Sequence, residues 1–231
     1  MNDIVIEAQG VSKQFFRKGR TSARNFDAVA SADLQLARGR LVELTGRSGS
    51  GKSTLLNMIS GILKPTAGTV RCGEQDLYAL SDEALSDFRN RHIGYIPQGT
   101  SAISSLTVME NILLPHRIRK NDIPGGAIAE RAQDLMSRME IGHLKDEKPG
   151  KLSGGELRRM AIARALILRP EIVLADEPTG DLDDENTKIV FTMMKNCAKE
   201  GASVLIVTHE EDVERYADRV LRMDSGRLAA Q

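Results

Sequence analysis

The sequence predicts an α/β protein with a mainly parallel sheet, preceded by an N-terminal antiparallel β portion and interrupted by a helical segment. Three observations predict it. Ile172-Val173-Leu174-Ala175 and Val204-Leu205-Ile206-Val207 are apolar on both faces, as strands buried between helices must be. Such runs alternate with helical patterns, which implies crossover connections and parallel strands. Earlier, Ile4 to Ala8 and Ala30 to Leu36 alternate apolar and polar residues, the pattern of half-buried antiparallel strands.

In chain order, the basic stretch Arg17-Lys18-Gly19-Arg20 with Arg24 lacks interleaved apolar anchors and reads as a solvated loop. Leu41-Val42-Glu43-Leu44 is the first core strand, and an apolar helical run from Thr54 to Ile59 follows it. Between Gly99 and Leu168 strand signals fade. There Ile128, Ala132, Leu135, Met136 and Met139 fall on one helical face, and Gly125-Gly126 and Lys148-Pro149-Gly150 punctuate the region. A further helix opens at Leu152-Ser153-Gly154-Gly155-Glu156 and runs through Leu157, Met160, Ala161 and Ala165, and another begins near Asp184.

Composition narrows the function classes. The 231 residues suffice for one to two ordinary domains, and 32 basic against 32 acidic residues give zero net charge, so a globally basic nucleic-acid binder is not indicated. With aromatics at 3%, a stacking platform for single strands or sugars is hard to build. Cys72 and Cys197 stand far apart, without a second Cys or His at metal-ligand spacing; neither a disulfide framework nor a zinc site is expected, and a reducing cytoplasm is the natural compartment. No run approaches the roughly 18 apolar residues of a membrane span, so a membrane is expected to be met only through a partner.

Gly46-Arg47-Ser48-Gly49-Ser50-Gly51-Lys52-Ser53 fits G-x-x-x-x-G-K-[ST] between a predicted strand and the helix that begins with Thr54. Glycines let successive N–H groups turn inward on a phosphate, and the helix start adds partial positive charge. Lys52 is expected on the β- and γ-phosphates, with the Ser53 hydroxyl on Mg²⁺. This defines a P-loop NTPase core without choosing among kinases, GTPases, helicases and transport ATPases.

The second half of the chain makes that choice. The small residues of Leu152 to Glu156 leave a second set of N–H groups bare at a helix start. The strand Ile172 to Ala175 ends in Asp176-Glu177 at the carboxyl edge of the sheet, where open α/β folds place ligands. Asp176 suits the outer shell of Mg²⁺ and Glu177 the activation of a water. The next strand delivers Thr208-His209 to the same edge. Glu171, Asp176, Glu177, Asp181, Asp183, Asp184 and Glu185 form an acidic run without Lys or Arg, for which a shared Mg²⁺ is the economical expectation, some of the later acids serving as helix caps.

Gly46 to Ser53, Gln98, Leu152 to Glu156, Ile172 to Glu177, Gly180-Asp181-Leu182-Asp183 and His209 resemble, in that order, the Walker A loop, Q-loop, signature, Walker B strand, D-loop and H-switch of ABC ATPase domains. A lone Gln or His means little; six ordered motifs are specific. The resemblance implies residues 1–231 as one ABC ATPase domain, with a helical signature subdomain near 99–168 inserted in a RecA-like core. It implies ATP and Mg²⁺ as cofactors and a head-to-tail dimer, of two identical chains or with a paralogous ATPase. In that dimer Ser153 and Gly155 contact the γ-phosphate across the interface and Asp183 helps set the contact. Glu177 is then the general base, His209 holds γ-phosphate and base in register, and Gln98 senses Mg²⁺ and the water. An aromatic, Phe15 by spacing or else Phe16, stacks on adenine.

A narrower resemblance, through Leu80 to Arg89, Ile93 to Gln98, Leu106 to Ile112 and Ala175 to Asp183, is to the lipoprotein-release and macrolide-export ATPases, with cell-division and peptide-resistance ATPases close by. It implies a separate transmembrane permease, engaged in part by Gly99 to Leu106, and a place on the cytoplasmic face of the membrane. A soluble ABC ATPase of DNA repair or translation usually has two ATPase halves or a coiled-coil insert, for which this chain has no room. A metabolite kinase would leave Leu152 to Glu156 and His209 without a role.

Overall fold

The computed structural model describes residues 3–18, 23–99, 101–118, 123–180, 182–209 and 215–230. Two long strands, β1 (Ile4–Lys18) and β2 (Ala23–Ala37), open the chain, followed by β3 (Leu41–Thr45), α1 (Lys52–Ile59), β4 (Ala67–Cys72) and β5 (Gln75–Asp76). Then come α2 (Asp82–His92), β6 (Ile93–Ile96), α3 (Val108–Ile118), α4 (Gly125–Arg138) and α5 (Gly154–Leu166). The chain ends with β7 (Ile172–Asp176), α6 (Asp184–Lys199), β8 (Ser203–Val207), β9 (Arg219–Asp224) and β10 (Arg227–Ala230).

The strand order is β5-β4-β1-β2-β10-β9-β3-β8-β7-β6. The five strands from β9 to β6 are mutually parallel, whereas β5, β4, β1 and β2 pair antiparallel. The two portions join where β10 meets β2 at the single pair Arg227 with Ser31.

The period-2 geometry of the central strands sorts their side chains into two cores. Leu41, Val173, Ala175, Val204 and Ile206 pack with apolar residues of α3, α4, α5 and α6. Val42, Leu44, Ile172, Leu174, Leu205 and Val207 pack with α1 and the N-terminal strands. This double burial explains the apolar runs Ile172 to Ala175 in β7 and Val204 to Val207 in β8, strands all of whose residues are buried. It also aligns the carboxyl ends of β3, β7 and β8 on one edge, where Thr208 N–H donates to Leu44 O and Glu177 N–H to Val207 O.

Two expectations change. Arg17, Lys18 and Arg24 belong to strands rather than to a loop: Arg17 pairs with Arg24 and Lys18 with Ala23 in a ribbon that continues past the Phe15–Phe26 pair, while Gly19 and Arg20 lie outside the described residues. Gly125-Gly126 opens α4 instead of separating elements, because Pro124 precedes it as the cap residue.

The segment after β6 is held by one buried amide. Asn111 Oδ1 accepts from Ile103 N–H at 2.9 Å, and its Nδ2 donates to the carbonyls of Ile103, Leu106 and Thr107 at 3.1, 3.2 and 2.9 Å. Asn111→Ala leaves these backbone groups without that partner and is expected to cost about 2 kcal/mol in urea unfolding; a loss below about 0.5 kcal/mol would show that water replaces the amide.

Candidate active site

The P-loop leaves β3 at Thr45 and enters α1 at Lys52. Ser50 N–H donates to Arg47 O at 3.1 Å, and Gly226 N–H, from the turn between β9 and β10, donates to Ser50 O at 2.9 Å. That turn underlies the loop and holds its floor. Gly51 has φ 107°, and a Cβ there would lie 2.2 Å from Ala28 O, so only glycine admits this close approach to β2. Lys52 is 7% exposed and folds over the loop, donating to Gly46 O at 2.7 Å and Arg47 O at 3.1 Å.

Asp176, the last residue of β7, and Glu177 just after it face this loop. Ser53 Oγ donates to Asp176 Oδ1 at 3.1 Å. Burial pushes the Asp176 carboxyl up from its ordinary range, partly offset by the Ser53 hydrogen bond, while neighbouring Glu177 adds to the rise. Glu177 stands at φ 48°, a left-handed conformation that costs a non-glycine residue on the order of 1 kcal/mol, and its N–H bond to Val207 O holds it there. Its Oε2 lies 2.8 Å from His209 Nδ1; the Glu177 side chain is 14% exposed and that of His209 70%. A shielded carboxylate thus meets an imidazole open to the cleft.

The cleft measures about 790 Å³. It gathers Phe15, Gly46, Arg47, Ser48, Gly49, Gly51, Lys52, Ser53, Thr54, Gln98, Glu177 and His209. Ser50 lies buried in the loop floor, and Asp176 is reached through Ser53. Phe16, 66% exposed, does not line the cleft. Phe26 does, opposite Phe15 with ring centroids 5.8 Å apart. Phe26 was detectable only through the β1–β2 register, which the sequence pattern around residues 17–24 obscured.

Ser153, Gly155 and Asp183 line no part of this cleft. Ser153 caps α5 in a reciprocal box: its N–H and Oγ donate to Glu156 Oε2 at 2.7 and 2.8 Å, and Glu156 N–H donates back to Ser153 Oγ at 3.3 Å. These hydrogen bonds hold the Glu156 carboxyl below its ordinary range. A Cβ on Gly155 would touch Leu182 Cδ2 at 3.3 Å, so the segment before α6 packs beside the α5 start. Asp183 caps α6, accepting from Asn186 N–H at 2.8 Å and Asn186 Nδ2 at 2.7 Å.

The acidic run is therefore not one cluster. Glu171 stands at the far end of β7, 3.3 Å from His92 and 3.6 Å from Arg38, because a strand separates it from Asp176. Asp184 and Glu185 occupy the first turn of α6, where the helix dipole favours them, and Asp181 lies outside the described residues. Among the described residues no group of three or more His, Cys, Asp or Glu could hold a metal. Among the described residues of the run, Asp176 and Glu177 stand beside the P-loop.

A phosphate loop between a parallel strand and its helix, with acids beside it from the end of β7, one strand beyond β8, defines a P-loop nucleotide-hydrolase fold. Residues 29–180 match the ABC transporter family model. The chain belongs to the ABC transporter ATPase family. It is 37% identical to the lipoprotein-releasing system ATP-binding protein LolD of Chromohalobacter salexigens over 99% of this chain and 94% of that protein, and 39% identical to LolD 1 of Caulobacter vibrioides over 98% and 95%. Among solved structures it resembles the dimeric form of MJ0796, described as a bacterial ABC transporter cassette, with TM-score 0.88 and 33% identity over 96% of each chain. The same cassette in a post-hydrolysis dimer bound to ADP and Pi gives TM-score 0.88 and 32% identity, over 97% of this chain and 98% of that one. The ABC ATPase class, the α/β fold and ATP-driven chemistry thus agree with the sequence reading.

Proposed function

We propose that this chain hydrolyses MgATP in a head-to-tail dimer and drives a separate transmembrane permease of the lipoprotein-release type. The observation that carries the dimer is the separation just described: the P-loop cleft holds Lys52, Gln98, Glu177 and His209, whereas Ser153 and Gly155 present a second phosphate-facing helix start outside it. One chain so built has half of each of two sites, which a partner arranged head to tail completes.

In this reading the loop from Gly46 to Thr54 cradles the phosphates and Phe15 stacks on the base. Glu177 takes the proton of the attacking water, and His209 holds that carboxylate toward the γ-phosphate. Gln98 orients the water from the other wall, while the partner's signature stabilises the transferring charge, as phosphoryl transfer requires. Asp183 keeps the α6 start beside Gly155 of the same chain and so helps to set the signature's contact across the interface. Ser53 and Asp176 offer hard oxygen donors side by side, which fits Mg²⁺, with Gln98 close enough to the cleft to join them and phosphate oxygens or water completing the set. When bound, Mg²⁺ neutralises charge on the β- and γ-phosphates.

The chain as a whole acts as one ATPase domain, residues near 99–168 forming a helical subdomain within the RecA-like core. No described helix is long and apolar enough to cross a membrane, so the permease brings the protein to the cytoplasmic face. A groove of about 390 Å³ between α2, α3 and α5, edged by Ile62 at 53% and Ile118 at 70% exposure, suits an apolar permease segment, although none of the described residues from Gly99 to Leu106 lines it. The LolD relatives support lipoprotein release as the driven process.

Complementation tests the shared site. Lys52→Ala and Ser153→Arg are each expected to lose ATPase activity by about 100-fold or more, and mixing the two purified chains is expected to restore turnover, since one mixed site keeps both an intact P-loop and an intact signature. A mixture as inactive as its components would refute the head-to-tail arrangement.

A further inference from the structure

Arg158 lies on α5, five residues beyond Ser153, and is 5% exposed. The chemistry above gives it no task. One terminal nitrogen donates to Pro97 O at 2.7 Å and the other to Gln98 O. A planar fork making two bonds at once fixes direction as well as distance, which an ammonium cannot do. Six residues further on, Arg164 donates to the Ser101 carbonyl at 2.5 Å and to its hydroxyl at 3.2 Å. The same helix that starts at the signature therefore grips the segment after β6 at two points, and Gln98, held at the first of them, lines the cleft.

We propose that Arg158 is a positioning residue for hydrolysis: it ties the signature helix to the backbone of Gln98, so that engagement of Ser153 and Gly155 by a partner's nucleotide displaces Gln98 in this chain's own cleft. The proposal rests on the role given to Gln98 above. A guanidinium from β3 or α1 could not serve, because the coupling requires the donor to ride on α5. Arg164 supports the distal end of the same segment, so the pair sets both position and tilt.

The test is a double-mutant cycle on the full chain, with kcat and the KM for ATP measured for Arg158→Ala, Gln98→Ala and the double variant. Arg158→Ala is expected to lower kcat about tenfold with KM changed less than about twofold, Arg158→Lys to recover part of the loss, and the double variant to be no slower than the slower single variant. Multiplying losses in the double variant, unchanged kcat in Arg158→Ala, or a raised KM alone would overturn the positioning role. Should Arg158→Ala fail to fold, Arg158→Lys carries the same cycle. Wild-type kcat in Gln98→Ala would instead overturn the reading of Gln98 on which the proposal stands.

Discussion

Glu177→Gln is expected to lower multiple-turnover ATP hydrolysis by about 10³-fold while leaving ATP affinity within a few-fold of the parent chain. Glutamine keeps the volume and the acceptor oxygen, so the contact with His209, 2.8 Å from Oε2 in the parent, survives as a neutral hydrogen bond. The backbone at φ 48° is held by the N–H bond to Val207 O, which the substitution does not touch. What disappears is proton acceptance, together with the carboxylate's charge. Removing one negative charge beside the phosphates also favours the closed, ATP-bound dimer, which phosphate-release assays and ATP-dependent size-exclusion chromatography would resolve together. Turnover near the parent value would remove Glu177 from the role of base. A parallel loss of ATP binding would point instead to a structural part for this carboxylate, since its side chain is largely shielded in the parent chain.

The elements whose meaning is local were legible in the sequence. Strands β7 and β8 announced themselves because both faces are buried, and the P-loop because its backbone path demands glycines at fixed spacing. Ser153 and Asp183 were readable as residues at helix starts because capping depends on nearest neighbours. The rest depends on register or tertiary approach. Phe26 enters the cleft only because β1 and β2 pair so that it faces Phe15, and the basic residues Arg17, Lys18 and Arg24 gave no strand pattern from which that register could be read. Arg158 carries no local signal of burial, yet it is buried and donates to two carbonyls some sixty residues earlier in the chain. Glu171 is close to Asp176 in sequence and far from it in space, since β7 carries it to the opposite edge of the sheet. Charge patterns along a chain become charge clusters only after the strand has been given its length.

Gly51→Ala is expected to damage the phosphate loop far more than the same methyl added at Gly49. Two effects act together there. A left-handed backbone costs an alanine on the order of 1 kcal/mol. Steric overlap is the larger effect: the new Cβ would stand 2.2 Å from Ala28 O and 2.9 Å from Met223 Cε, and the first of these is backbone that cannot swing aside. The loop must lift from β2, dragging Lys52 and the α1 start, whose Leu55 N–H bonds Gly51 O at 2.9 Å. Gly49 isolates the backbone effect, for its φ is 76° but a Cβ there meets nothing within 4 Å. Gly49→Ala should therefore lose only about 1 kcal/mol of stability with ATP binding weakened at most tenfold, whereas Gly51→Ala should lose 100-fold or more in ATP affinity and about 3 kcal/mol in stability. Paired thermal unfolding and nucleotide titration would separate the two. Equal damage at both positions would mean that φ alone governs the loop, and that its close approach to β2 contributes nothing to phosphate binding.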